Sequence, residues 1–180
     1  VKSFFALLAF GLLALVGQGV LARALPPPWC PDLAWLLVVA LGLRWPSFVS
    51  GLLVAALLGY AQDLLSGSLL GQHALLGLLS YLAAALATRQ LDLSGALPVS
   101  ILVFVARVLH GLAMVATLSL FVDSPGVDLH VLGQAIAHAM ANVVAVLPVL
   151  AGVERLRTRL SEEDLGRRGW PMGLPLGRHV

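Results

Sequence analysis

Cysteine and charge are what this chain has least of. One cysteine, Cys30, in 180 residues excludes an intrachain disulfide and makes a thiolate-held metal a poor expectation. Asp, Glu, Lys and Arg together supply only 11% of the residues, too few to coat a water-soluble domain. No polar stretch long enough for a separate soluble domain precedes about Glu154. The period-two alternation of a membrane barrel is missing as well. The net charge of +2 says little until the charges are placed along the chain, and neither a cofactor nor a nucleic-acid partner is expected. What fills the chain instead is apolar: 59% of residues are hydrophobic and the mean hydropathy is +0.96. Apolar runs able to cross about 30 Å of hydrocarbon recur along its length. The expectation is an all-α membrane protein, a compact bundle of about six transmembrane helices, because a helix satisfies its own backbone in lipid.

The spans fall near 3–25, 33–43, 47–66, 68–88, 96–122 and 129–152. The second is short and stops at Arg44-Trp45-Pro46, so it is expected to tilt, to re-enter, or to form a tight hairpin with the third. With the N-terminus in the cytoplasm, Lys2, Arg44, Arg89, Arg155, Arg157 and Arg159 lie inside. Asp32, Asp123 and Asp128 then fall in outer loops, with Arg23 the basic residue nearby, which fits the positive-inside rule. Both termini are therefore expected in the cytoplasm. Ala22-Arg23-Ala24 has the form of a signal-peptide cleavage site, but the apolar run is long and a proline run follows, which favours a retained helix. The bundle is expected over 1–153 and a basic, partly disordered cytoplasmic tail over 154–180.

Inside GYAQDLLSGSLLGQHALLGLLSYLA sits one carboxylate, Asp63. Gly51, Ala55, Gly59, Asp63, Gly67 and Gly71 are spaced four apart, so they share one slowly drifting helix face. Small residues at that spacing let membrane helices approach closely. They are expected to pack helices or to receive a partner, as are Gly77 and Ala84 on the fourth span. Arg107, midway along the fifth span, needs a partner or water in the bilayer. Asp63 is the obvious candidate, with His110 on nearly the same face, and together they form a structural polar lock. A proton relay is the sharper alternative, but relays use several carboxylates.

A second stripe, His130, Gln134, His138 and Asn142, runs along the sixth span. Metal ligation with Asp63 is conceivable chemistry, but HExxH is absent, and interhelical hydrogen bonding is expected. Gln72 and His73 are expected to be solvated at the outer surface, and Trp29, Trp35 and Trp45 to anchor the interfaces. Val153, Leu156 and Leu160 share one face of the tail, with arginines on the others, as on a helix lying along an anionic leaflet.

The order of spans and the string Gly59-x-x-x-Asp63-Leu64-Leu65-x-Gly67-x-x-x-Gly71-x-x-Ala74, followed by Tyr81, resemble the MreD family. These are membrane proteins of the bacterial rod-shape (elongasome) complex. The resemblance implies a non-enzymatic scaffold in the bacterial cytoplasmic membrane, without cofactor or metal. It implies binding to the bitopic protein MreC, and a link from MreB inside to RodA and its class B penicillin-binding transpeptidase. It also implies a fold similar to the substrate-binding subunits of vitamin uptake (ECF) transporters. The family offers no established catalytic residue to carry over. The rival readings are a substrate-binding transporter subunit, with a pocket lined by His73, His110, His130 and Gln134, and a small intramembrane enzyme. The second lacks a carboxylate to pair with Asp63 at matched depth.

Overall fold

The computed structural model describes residues 2–67, 69–121 and 129–167, apart from the side chains of 118, 121, 129–131 and 163–167. Six helices follow in order: α1 Lys2–Ala24, α2 Leu33–Arg44, α3 Phe48–Ser66, α4 Gln72–Gln90, α5 Ala96–Phe121 and α6 Leu129–Arg167. No strand occurs among the described residues. α1, α3, α5 and α6 are long and apolar enough to cross a membrane, so this is a multi-pass membrane architecture. α4 has the same 19 residues as α3 but ends in Gln72-His73 and Arg89-Gln90, and it is not among the four.

α2 is the centre of the bundle. At 12 residues it is about 18 Å long, short of the hydrocarbon thickness. Every position from Ala34 to Leu41 is buried, on all sides of the helix. A helix apolar all round belongs in a core, and α2 packs against α1, α3, α4 and α6. The short second span is thus a core helix, with protein rather than lipid around it. Its start is fixed by Asp32, whose side chain accepts from Trp35 N at 3.0 Å as an N-cap. Its end is fixed by Pro46, which cannot continue the helix, so Trp45-Pro46-Ser47 turns tightly into α3.

The depth of α2 follows from its bonds. Ala34 N donates to Gln18 Oε1 at 3.3 Å, and Gln18 lies about 9 Å back from the end of α1. Asp32 N donates to Asn142 Oδ1 on α6 at 3.0 Å. Residues 25–32 therefore turn back into the bundle after α1 ends. Four of those eight residues are prolines (Pro26, Pro27, Pro28 and Pro31), which bring no N–H to satisfy, and irregular backbone at such depth is tolerated where protein covers it.

Two arginines tie the opposite end. Arg44 Nη2 donates to the Leu93 carbonyl at 3.3 Å, and Arg157 Nη1 donates to the Arg44 carbonyl at 3.2 Å. Arg157 is held in turn by Glu154 at 2.6 Å. α6 runs unbroken through Pro148 to Arg167, with Val153 in the core and Leu156 packed on it. Residues 168–180, most of the segment expected to be disordered, lie outside the described residues.

Candidate functional site

The α3–α4 hairpin is built on Asp63. Its side chain is fully buried, and its oxygens accept from Gly71 N (3.0 Å), His73 N (2.8 Å) and Ala74 N (3.2 Å). The His73 ring nitrogen Nδ1 adds a fourth bond at 2.9 Å. The carboxylate at the end of α3 thus caps the first turn of α4, where free N–H groups and the helix dipole favour negative charge. Gly67 (φ 64°) and Gly71 (φ 92°) hold left-handed backbone on either side of the turn. They are turn residues, not members of the helix face that the four-residue spacing predicts. That face is real from Gly51 to Gly59 and meets α4: a Cβ at Gly59 would stand 2.5 Å from Ala74 Cα and from His73 O. Gly77 and Ala84 are buried too, Gly77 over the Ala55 carbonyl and Ala84 in the core with Trp35. Gly51, Ala55, Gly59, Gly77 and Ala84 are spent inside the bundle, so Gly77 and Ala84 are not an open partner surface.

Asp63→Asn retains one acceptor oxygen and is expected to cost about 1–2 kcal/mol, read as a lower Tm in detergent. Asp63→Leu leaves three N–H groups unpaired and should cost about 3 kcal/mol or more. Equal melting of both variants with the parent protein would remove the lock.

Arg107 does not meet Asp63. Its Nη2 lies 2.7 Å from His138 Nε2 and 3.6 Å from Asp32 Oδ2, and its guanidinium sits over the Trp35 ring at 5.2 Å. Because a guanidinium only donates, His138 Nε2 must accept. Asn142, fully buried, bridges the centre: its Oδ1 takes the Asp32 N–H and its Nδ2 donates to the His138 carbonyl at 2.8 Å. Gln62 Nε2 donates to Asp32 Oδ1 at 3.1 Å. Asp32, assigned from the sequence to an outer loop, is the buried partner of Arg107.

His110 lies about one turn from Arg107 on α5 and also touches Trp35. The His110 and Trp35 rings are edge to face with centroids 5.6 Å apart. Trp35 Nε1 donates to Ser80 Oγ at 3.0 Å, and Ser80 Oγ is 3.3 Å from His110 Nδ1. Trp35 is thus no interface anchor: it is 2% exposed and touches both Arg107 and His110, while Trp29 remains exposed. Gln72 is not solvated either, since it is buried and its Nε2 donates to Thr117 Oγ1 at 2.6 Å. Of the α6 stripe, His138 and Asn142 turn inward, Gln134 is exposed, and the side chain of His130 lies outside the described residues.

A cavity of about 420 Å³ separates the two polar clusters, with Asp32, Gln62, His73, His138 and Gln18 among its walls. Cys30 lines it as well; burial, reinforced by the Asp32 carboxylate, pushes its thiol up, so it stays protonated and a weak nucleophile. Among the described residues no three of His, Cys, Asp or Glu gather as a metal site. No protein-family model, no curated protein and no solved structure matches the chain. The site is read from its own geometry. Asp32 escaped the sequence reading although a signal was present, since Asp directly before an apolar run is an N-cap pattern. Gln18 and Gln62 gave no signal, because a lone glutamine on an apolar helix does not say what it faces.

Proposed function

We propose that the protein is a non-enzymatic scaffold of the bacterial cell-wall elongation machinery, akin to MreD, set in the cytoplasmic membrane. It binds an MreC-like single-pass protein and links the MreB cytoskeleton to RodA and its transpeptidase. The observation that supports this reading is the fate of the resembling string. Gly59, Asp63, Gly67, Gly71 and Tyr81 are all used to fasten α3 to α4, the last through Tyr81 Oη donating to the Phe48 carbonyl at 2.9 Å. A sequence whose polar groups are consumed in holding a rigid hairpin suits a platform for other membrane proteins.

Tagged protein drawn from native membranes is expected to bring a single-pass cell-wall protein with it. Recovery of an ATPase module in its place would favour the transporter-subunit reading, and turnover by the isolated chain would end the scaffold reading. The proposal also carries six crossings with both termini in the cytoplasm, α2 crossing only as the core partner of its neighbours. A reporter active only outside the membrane should work when fused at Asp128 and stay silent at Asp92. The opposite pattern would reverse the orientation.

A further inference from the structure

α4 and α5 are tied together at two points. Gln72 ties to Thr117 near one end, and Ser80 meets His110 near the middle. Beside that second tie lies a groove of about 270 Å³ whose floor includes Ser80, Ala83, Ala106, His110 and Ala113. Its lips, Leu79 and Leu109, are exposed on the apolar outside of the bundle, so the groove opens toward lipid. His110 falls near the middle of the 26-residue α5, far from either helix end.

The floor holds an unanswered acceptor. Ser80 Oγ donates its single proton to the Leu76 carbonyl at 2.7 Å and accepts from Trp35 Nε1. To bond His110 Nδ1 as well, it must accept again, so the imidazole proton is on Nδ1 and Nε2 is the acceptor. His110 is 7% exposed, and no described residue donates to Nε2. Nε2 is not sealed within the bundle, and with water scarce at this depth a donor on a neighbouring membrane helix is what would answer it. Small floor residues with a hydrogen-bonding group between them are what membrane helices use to receive one another.

We infer that the α4–α5 groove is the docking site for a transmembrane helix of a single-pass partner, which presents an O–H or N–H donor to His110 Nε2. Ser, Thr, Asn, Gln or Trp near the middle of the partner span supplies that donor. The volume suits one or two side chains of a helix laid across the groove, not its backbone. The inference rests on the scaffold reading and says where the partner sits.

The test places a photo-crosslinking residue at Ala83 in the full chain, in native membranes, with a second at the exposed Leu13 of α1 as comparison. The expected result is a crosslink from position 83 to the span of a single-pass protein, at a residue within one turn of a Ser, Thr, Asn, Gln or Trp. A synthetic peptide of that captured span is then titrated into the purified protein in detergent. Binding should fall about fivefold or more with His110→Phe, and likewise when the donor of the peptide is changed to Val. Ala83→Leu, which adds bulk at an exposed position, should abolish binding without changing the Tm of the protein alone. Crosslinks from position 83 to lipid only, or to a second copy of the chain, overturn the inference. Capture of the single-pass protein from position 13 but not 83 overturns the groove while leaving the scaffold reading intact. Recovery of no single-pass protein from either position overturns both.

Discussion

Arg107→Met is expected to be the most damaging single change in the polar centre. It removes the cation 3.6 Å from Asp32 Oδ2 and leaves a carboxylate at 8% residue exposure without a counter-charge. Stranding one member of a buried pair costs about 3–5 kcal/mol. The same change takes the donor from His138 Nε2 and the guanidinium from the Trp35 face, the latter worth about 1–2 kcal/mol when desolvated. Asp32→Asn should be milder, since asparagine still caps α2 and still accepts from Trp35 N and Gln62 Nε2. The double variant Asp32→Asn, Arg107→Met should recover much of the loss, because no charge is then left alone. Thermal melts of the four proteins in one detergent give the coupling energy, expected at about 2 kcal/mol or more. Additive losses would show that Asp32 and Arg107 do not act as a pair. Asp63→Asn belongs outside this cycle, because Asp63 is held by backbone N–H groups and His73 and has no share in Arg107.

The close approach of α3 to a neighbouring helix was legible in the sequence, while the Asp63 cap and the polar centre were not. Gly51, Ala55 and Gly59 lie on one continuous helix, so spacing alone puts them on one face, whereas Gly67 and Gly71, read as its continuation, turn the chain into α4. Asp32 and Arg107 are far apart in sequence, and which of them meet depends on how deep each helix sits. Hydropathy gives the length of a span but not the depth of a helix too short to cross. α2 is such a helix, and its depth is set by Gln18 and Asn142, two side chains whose partners no periodicity announces. With α2 expected to tilt, to re-enter or to form a tight hairpin with α3, its depth stayed open, so Asp32 fell in a loop, Trp35 in an interface belt, and Asp63 was left as the apparent partner for Arg107. The small-residue stripe failed differently. Its spacing says that a helix comes close, yet it does not name the helix, and here the neighbour is the next one in the chain. The same ambiguity left Gly77 and Ala84 between helix packing and a partner surface, and the structure buries both.

That closeness sets the second large effect: Gly59→Leu is expected to prevent α3 and α4 from seating. A Cβ at this position would lie 2.5 Å from Ala74 Cα, 2.5 Å from His73 O and 2.7 Å from Ala74 N. All three are backbone atoms, so no rotamer change relieves the clash; the helices must separate or slide. Sliding would carry the α4 N-terminus away from Asp63, whose bonds to Gly71, His73 and Ala74 are all between 2.8 and 3.2 Å. Overpacking and loss of the cap therefore add, for about 3 kcal/mol or more. Gly51 sits farther from the lock and would press on the Tyr81 ring, with its hydroxyl 2.5 Å from the new Cβ, so Gly51→Ala should also cost the Tyr81–Phe48 bond. Gly17→Leu on α1 is the matching control, since a Cβ there meets nothing within 4 Å. Detergent melts and the rate of proteolysis at the 67–71 turn report the result. Gly59→Leu should melt well below the parent and be cut faster, while Gly17→Leu should match it. If Gly59→Leu melts with the parent, α3 and α4 do not approach backbone to backbone, and the hairpin that supports the scaffold reading is lost with that contact.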